Sequence, residues 1–151
     1  MRVVAGTLRG RPIVAPSGAA TRPTTDRVRE AMFNALESLG AIEDASAVDL
    51  YAGSGALGIE ALSRGARRCT FVERDREALR AIRTNLDKLS LNDCSNVVAS
   101  DVLVSIGALR GVDLVLVDPP YGFDAWARLL DALVPVANPD AVVVLESDRP
   151  I

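Results

Sequence analysis

The tetrapeptide Asp118-Pro119-Pro120-Tyr121 is the stretch of this sequence best equipped for chemistry. The Asp118 carboxylate and the Pro119 carbonyl supply two acceptors for an –NH2 group, and the paired prolines fix the backbone that presents them. Accepting both hydrogens turns the nitrogen lone pair toward an electrophile such as a methyl group. Tyr121 adds a flat face on which a base can stack. Pro-Pro also makes plain turns, so the tetrapeptide gains its meaning from what surrounds it.

A second constellation lies about 65 residues upstream. The run Asp49-Leu50-Tyr51-Ala52-Gly53-Ser54-Gly55-Ala56-Leu57-Gly58 reads as the end of a strand, a glycine loop and the start of a helix. Glycines there allow a tight turn and close approach of a ligand to the backbone, and helix N-terminal amides face that ligand. Glu73 ends the next expected strand, where a carboxylate can hold the hydroxyls of a ribose. Loop and acid together mark a cofactor that contains a nucleoside. The spacing Gly53-x-Gly55-x-x-Gly58 also fits the dinucleotide fingerprint, so the loop by itself does not separate NAD from S-adenosylmethionine. Asp49 favours the latter, since it can organise the loop or take the cofactor's ammonium group. Asp101, after the third expected strand, can meet an adenine amino group, cap the next helix, or do both. The candidate cofactor residues are Asp49, Tyr51, Ala52, Gly53, Ser54, Gly55, Gly58, Glu73, Arg74, Asp101 and Val102.

Several chemistries are excluded. With no histidine in the sequence, Ser–His and Cys–His catalysis are impossible. Cys69 and Cys94 have no metal-binding spacing, so no metal is expected and both read as reduced thiols.

These residues need a scaffold. From residue 46 onward strands alternate with helices, with strands expected at 47–51, 69–73, 96–99, 112–117 and 141–146. Helices are expected at about 56–64, 75–89, 102–109 and 124–136. That alternation predicts an α/β fold with a mostly parallel, doubly wound sheet of order 3-2-1-4-5. Continuous apolar runs such as Leu114–Val117 fit buried parallel strands. Open sheets of this kind bind ligands beyond the carboxyl ends of their strands, which is where the glycine loop, Glu73, Asp101 and Asp118 all fall. Upstream, residues 2–15 predict two short strands or an extended arm, and 16–25 a loop. A helix is expected from Thr25 or Asp26 to Gly40, with Val28, Ala31, Met32, Ala35, Leu36 and Leu39 on its buried face.

Length and charge complete the frame. The chain has 151 residues, 49% of them hydrophobic, enough for a core. Its apolar runs are too short to cross a membrane, and arginines interrupt any leader-like stretch, so a soluble cytoplasmic protein is expected. The net charge of −3 is uneven: residues 1–36 hold six Arg against two acidic residues, which leaves −7 on the remainder. A basic arm on an acidic body suits a polyanion reached through the arm, or an ordinary solvated surface.

At this level of detail the chain resembles the bacterial RsmD-type methyltransferases, which modify N2 of a guanine in 16S ribosomal RNA. Asp49–Gly58, Glu73, Asp101 and Asp118–Tyr121 are general methyltransferase motifs. The family-specific segments are Arg2–Gly6 with Arg9-Gly10-Arg11, Arg22–Glu30, Phe33-Asn34, Ala61–Gly65 and Leu145-Glu146-Ser147. The resemblance implies a Rossmann-like class I fold and S-adenosylmethionine as cofactor, with S-adenosylhomocysteine as product. It implies as substrate a flipped guanine in a small-subunit assembly particle. Asp118, Pro119, Pro120 and Tyr121 would be catalytic, and Arg9, Arg11, Arg22, Thr24, Arg27 and Arg29 would contact RNA. Residues 1–40 would be the RNA-contacting extension and 41–151 the methyltransferase domain. It also implies a sixth and a seventh strand that the residues up to Ile151 do not contain, which would leave an open sheet edge. Two alternatives stand beside this reading: another amino methyltransferase, acting on adenine N6 or a protein amide, and a non-catalytic RNA-binding module with a vestigial cofactor site. An NAD oxidoreductase is a third, although no acid or base suited to hydride transfer is evident.

Overall fold

The computed structural model describes residues 1–16 and 25–151; Arg22 and Thr24 lie outside the described residues. Five parallel strands form one sheet in the order β3-β2-β1-β4-β5, as the alternation predicts. They are β1 (Ser46–Leu50), β2 (Arg68–Glu73), β3 (Ser95–Ala99), β4 (Val112–Val117) and β5 (Ala137–Leu145). Between them run α2 (Ala56–Ser63), α3 (Arg76–Lys88), the short α4 (Val102–Ser105) and α5 (Trp126–Leu133), while α1 (Asp26–Ser38) precedes β1.

Every residue of the central strand β1 is buried, because helices cover both faces of a parallel sheet. Successive side chains go to opposite faces. Ala47, Cys69, Phe71, Leu114 and Leu116 join one core with Ile59 of α2 and Ile82 of α3. Val48, Leu50, Val72, Val115 and Val117 join the other with Leu129 of α5. Register aligns the carboxyl ends: Leu50 pairs with both Val72 and Val117, Glu73 with Ala99, and Val117 with Leu145. Tyr51, Arg74, Ser100, Asp118 and Glu146 therefore leave the sheet along a single edge.

β5 starts earlier than the sequence predicts. Val112 pairs with Ala137 and Leu114 with Val142, an irregularity that absorbs Pro139 and Asp140. The helix expected over 102–109 is one turn of α-helix followed by a 3-10 turn at Ile106–Ala108.

The first sixteen residues form the extended arm. It folds back on itself through an antiparallel bridge between Arg2 and Pro12. Val3 and Ile13 enter the first core together with Phe33 and Leu36 of α1. Helix α1 begins as expected, with Thr25 Oγ1 accepting the Val28 amide hydrogen at 3.2 Å, a cap worth about 1 kcal/mol. Its buried face differs from the hydrophobic stripe, however. Val28 and Leu39 are 46% and 69% exposed, Ala31 and Ala35 are exposed too, and Met32 is half-buried; Leu36 is buried as expected, but beside it the helix buries Arg29 and Phe33.

Arg29, a candidate RNA contact, is completely buried and meets no solvent. Its guanidinium donates to Glu60 Oε1 at 3.3 Å, to Asp26 Oδ1 at 2.9 Å and to the Arg2 carbonyl. Glu60 of α2, equally buried, also accepts the amide hydrogens of Val4 and Ala5 at 2.9 and 3.1 Å and Arg64 Nε at 2.8 Å. One carboxylate thus binds the arm, α1 and α2 together. Charges withdrawn from water are tolerated only when paired in this way.

Candidate active site

The aligned strand ends enclose a cleft of about 770 Å³, within the range of small-molecule sites. Asp49, Tyr51, Ala52, Gly53, Ser54, Glu73, Arg74, Asp101 and Val102 of the candidate cofactor set line it, and so do Asp118, Pro119, Pro120 and Tyr121. The fold thus brings the two constellations of the sequence into one cavity.

The loop glycines divide their work. Gly53 has φ +59°, and a Cβ there would meet nothing within 4 Å, so its backbone is open to a ligand and its conformation suits glycine. Gly55 (φ +83°) and Gly58 face Phe71, and a Cβ on Gly58 would lie 2.4 Å from that ring. Gly55 and Gly58 are absent from the cleft lining. They seat α2 against β2 and contribute to the site indirectly.

Three carboxylates shape the cofactor end. Glu73 Oε1 accepts the Gly53 amide hydrogen at 2.9 Å, and Oε2 accepts those of Arg74 and Asp75, each at 2.9 Å. Three of its roughly four lone-pair sites are thereby taken, leaving capacity on Oε1 for a ligand hydroxyl. Asp101 Oδ1 caps α4 by accepting from Leu103 N at 3.0 Å, while Oδ2 stands 3.7 Å from Arg74 Nη1. Capping thus engages one oxygen and leaves the other facing the exposed guanidinium.

Asp49 is buried, and its Oδ2 accepts the Gly58 amide hydrogen at 2.9 Å. Burial pushes its carboxyl well above the usual carboxylate range. The Gly58 hydrogen bond pulls the other way, and the negative charges of Asp118 and Glu73 add to the rise. A cation entering the cleft would relieve that cost.

Tyr51 also has a positive φ, 60°. Its ring meets Phe123 edge-on at 5.3 Å, and Phe123 meets Trp126 at 4.8 Å. Burial, with the Asp101 charge, raises its phenol to about 12, so Tyr51 stays protonated at neutral pH. Phe123 and Trp126 line the cleft without having been anticipated; an apolar row beyond the tetrapeptide was the available signal. Tyr121 is 64% exposed, as a stacking face at the mouth requires. Met1, Ala15 and Pro16 of the arm also line the cleft.

Arg9, Arg11 and Arg27 are exposed, and Arg11 also donates to the Lys88 carbonyl at 3.0 Å. Among the described residues, no group of His, Cys, Asp and Glu could hold a metal ion, and no helix is long and apolar enough to cross a membrane.

The pocket has the features that a nucleoside cofactor with a cationic amino-acid end requires. Gly53 leaves backbone open, Glu73 retains an acceptor, and Asp49 is a buried carboxyl that a cation would help to ionise. The family model described as Conserved hypothetical protein 95 matches residues 1–151. YlbH of Bacillus subtilis is 37% identical over 157 residues, 100% of this chain and 84% of that protein. Ribosomal RNA small subunit methyltransferase D of Escherichia coli (strain K12) is 43% identical over 123 residues, covering 80% of this chain and 60% of that one. The solved structure of yhhF from Escherichia coli superposes with a TM-score of 0.85 at 38% identity, covering 99% of this chain and 82% of the other. The fold and the site together define a Rossmann-like methyltransferase. Within that class, the chain belongs to the RsmD-type family.

Proposed function

We propose that this chain transfers a methyl group from S-adenosylmethionine to the exocyclic N2 of a guanine in 16S ribosomal RNA of the small subunit. The observation that carries the proposal is that Asp118, Pro119, Pro120 and Tyr121 line the same cleft as Gly53, Glu73 and Asp101. An amine acceptor and a nucleoside pocket therefore share one cavity.

S-adenosylmethionine, when bound, supplies an electrophilic methyl group. Glu73 would accept from its ribose, Asp101 from its adenine amino group, and Asp49 would balance its ammonium. Asp118 and the Pro119 carbonyl accept the two hydrogens of the target amine, so its lone pair faces the methyl. Tyr121 stacks on the base. The rate gain comes from positioning and from acceptors already aimed at the developing positive charge. No strong base is needed, because the extra proton of the product leaves to water. No metal ion takes part.

In this reading residues 1–40 are the RNA-contacting extension and 41–151 the catalytic domain. Arg9, Arg11 and Arg27, with Arg22 and Thr24, meet phosphate or base of the RNA. The substrate is a small-subunit assembly particle, and the protein works in the cytoplasm. Incubation with labelled S-adenosylmethionine and a small-subunit assembly particle carrying 16S ribosomal RNA, then nucleoside analysis, tests the proposal. N2-methylguanosine is the expected product; label in N6-methyladenosine would favour the other amino methyltransferases.

A further inference from the structure

The arm is fastened to the fold at several places, among them Glu60 and Ser63 of α2 and Asn85 and Lys88 of α3. Near its start, Glu60 binds the amides of Val4 and Ala5. Near its end, the fastener is Asn85 of α3, which is 1% exposed. Asn85 Oδ1 accepts the Val14 amide hydrogen at 2.8 Å, and Nδ2 donates to the Val14 carbonyl at 2.9 Å and to the Ser54 carbonyl at 2.9 Å. Both donors of the side-chain amide are thereby used.

Both partners border the cleft. Ser54 belongs to the glycine loop and lines it; Ala15 and Pro16, the residues after Val14, line it from the arm. One buried amide therefore joins the wall that takes cofactor to the wall contributed by the arm. An aliphatic side chain of similar size would fill the same space but would leave the Val14 amide and the Val14 and Ser54 carbonyls without these partners.

We propose that Asn85 is a positioning residue that couples the RNA-facing arm to the cofactor loop. Cofactor on the loop restrains Ser54; Asn85 passes the restraint to Val14 and so to Ala15 and Pro16, which then stand ready for RNA. Such coupling is reciprocal, and reduced mobility alone can carry it. The inference rests on the proposed function, since it needs both ligands to bind.

Asn85→Asp is the direct test. It is isosteric and keeps the acceptor for the Val14 amide, but it turns a carboxylate oxygen toward two carbonyls. Calorimetry would give the affinity for S-adenosylhomocysteine with and without a saturating 16S ribosomal RNA transcript. RNA should tighten that affinity about fivefold or more in the parent, the lower end of typical coupling. In Asn85→Asp the ratio should fall to about one, with each ligand alone bound nearly as in the parent. A parent that binds both ligands without mutual effect overturns the coupling alone, as does a variant that keeps the ratio. A parent that binds neither overturns the proposed function and the coupling with it. Hydrogen exchange on the parent needs no variant: S-adenosylhomocysteine alone should slow exchange at the Val14 amide several-fold. Unchanged exchange there overturns the proposal.

Discussion

Glu73 Oε1 accepts the Gly53 amide hydrogen at 2.9 Å, so the acid that ends β2 also holds the loop that follows β1. Glu73→Ala therefore removes a loop anchor and, in the proposed function, a ligand contact with it. Cofactor affinity should fall by about 1–3 kcal/mol, the range for hydrogen bonds to a charged acceptor. Titration with S-adenosylhomocysteine checks this; an unchanged dissociation constant would remove Glu73 from the site.

Asp49 gives the site a pH signature. Its folded pKa lies well above the ordinary value, so the folded state holds the proton that the unfolded state releases near pH 3.9. Stability should fall as pH rises from there through the raised pKa, and the loss should be complete above it. Binding of a cofactor ammonium has the opposite slope, because it favours the ionised carboxyl and strengthens over the same window. Asn in place of Asp49 should flatten both dependences while its amide oxygen still accepts from Gly58. Melting and binding curves of parent and variant across pH, subtracted, check it.

The exposed arginines should act through phosphate. Replacing Arg9, Arg11 and Arg27 by Ala should weaken RNA binding and reduce the slope of log affinity against log salt by roughly 0.7–0.9 for each phosphate no longer neutralised. Cofactor affinity should stay as it was. An unchanged slope would mean that these side chains do not meet the backbone.

Arg29 should behave differently from those three. Removing one partner of a buried ion pair costs about 3–5 kcal/mol, so Arg29→Ala should lower the melting temperature sharply, and Glu60→Ala likewise. Denaturant midpoints measure the loss; stability within about 1 kcal/mol of the parent, on that scale, would contradict the role given to this pair.

Arg29 also marks where the sequence stopped being legible. Strand order, the loop and the shared cleft follow from local signals, since apolar runs, glycines and strand-end acids each depend on near neighbours. Arg29, Glu60 and Asn85 carry no such signal. A charged or amide residue on a helix reads as solvent-facing, and most of the partners that bury these three come from segments 27 to 71 residues away. The same limit put Val28 and Leu39 on the wrong face of α1. Gly55 and Gly58 are a subtler case: the spacing identified a glycine loop, but only the position of Phe71 separates a glycine open to ligand from one needed for packing.

In the proposed reaction Asp118 assists methyl transfer itself. The residue leaves the sheet after Val117 and is only half-buried, so Asp118→Ala should leave a folded protein that still binds cofactor. Removing one hydrogen bond that strengthens in the transition state costs about 2.7–4 kcal/mol, roughly 100- to 1,000-fold in rate. Asp118→Asn, which retains an acceptor oxygen, should be less impaired. The decisive measurement is single-turnover methyl transfer at saturating S-adenosylmethionine and 16S ribosomal RNA. Asp118→Ala should transfer methyl more slowly by about two to three orders of magnitude with cofactor affinity intact; transfer at the parent rate would remove Asp118 from the reaction.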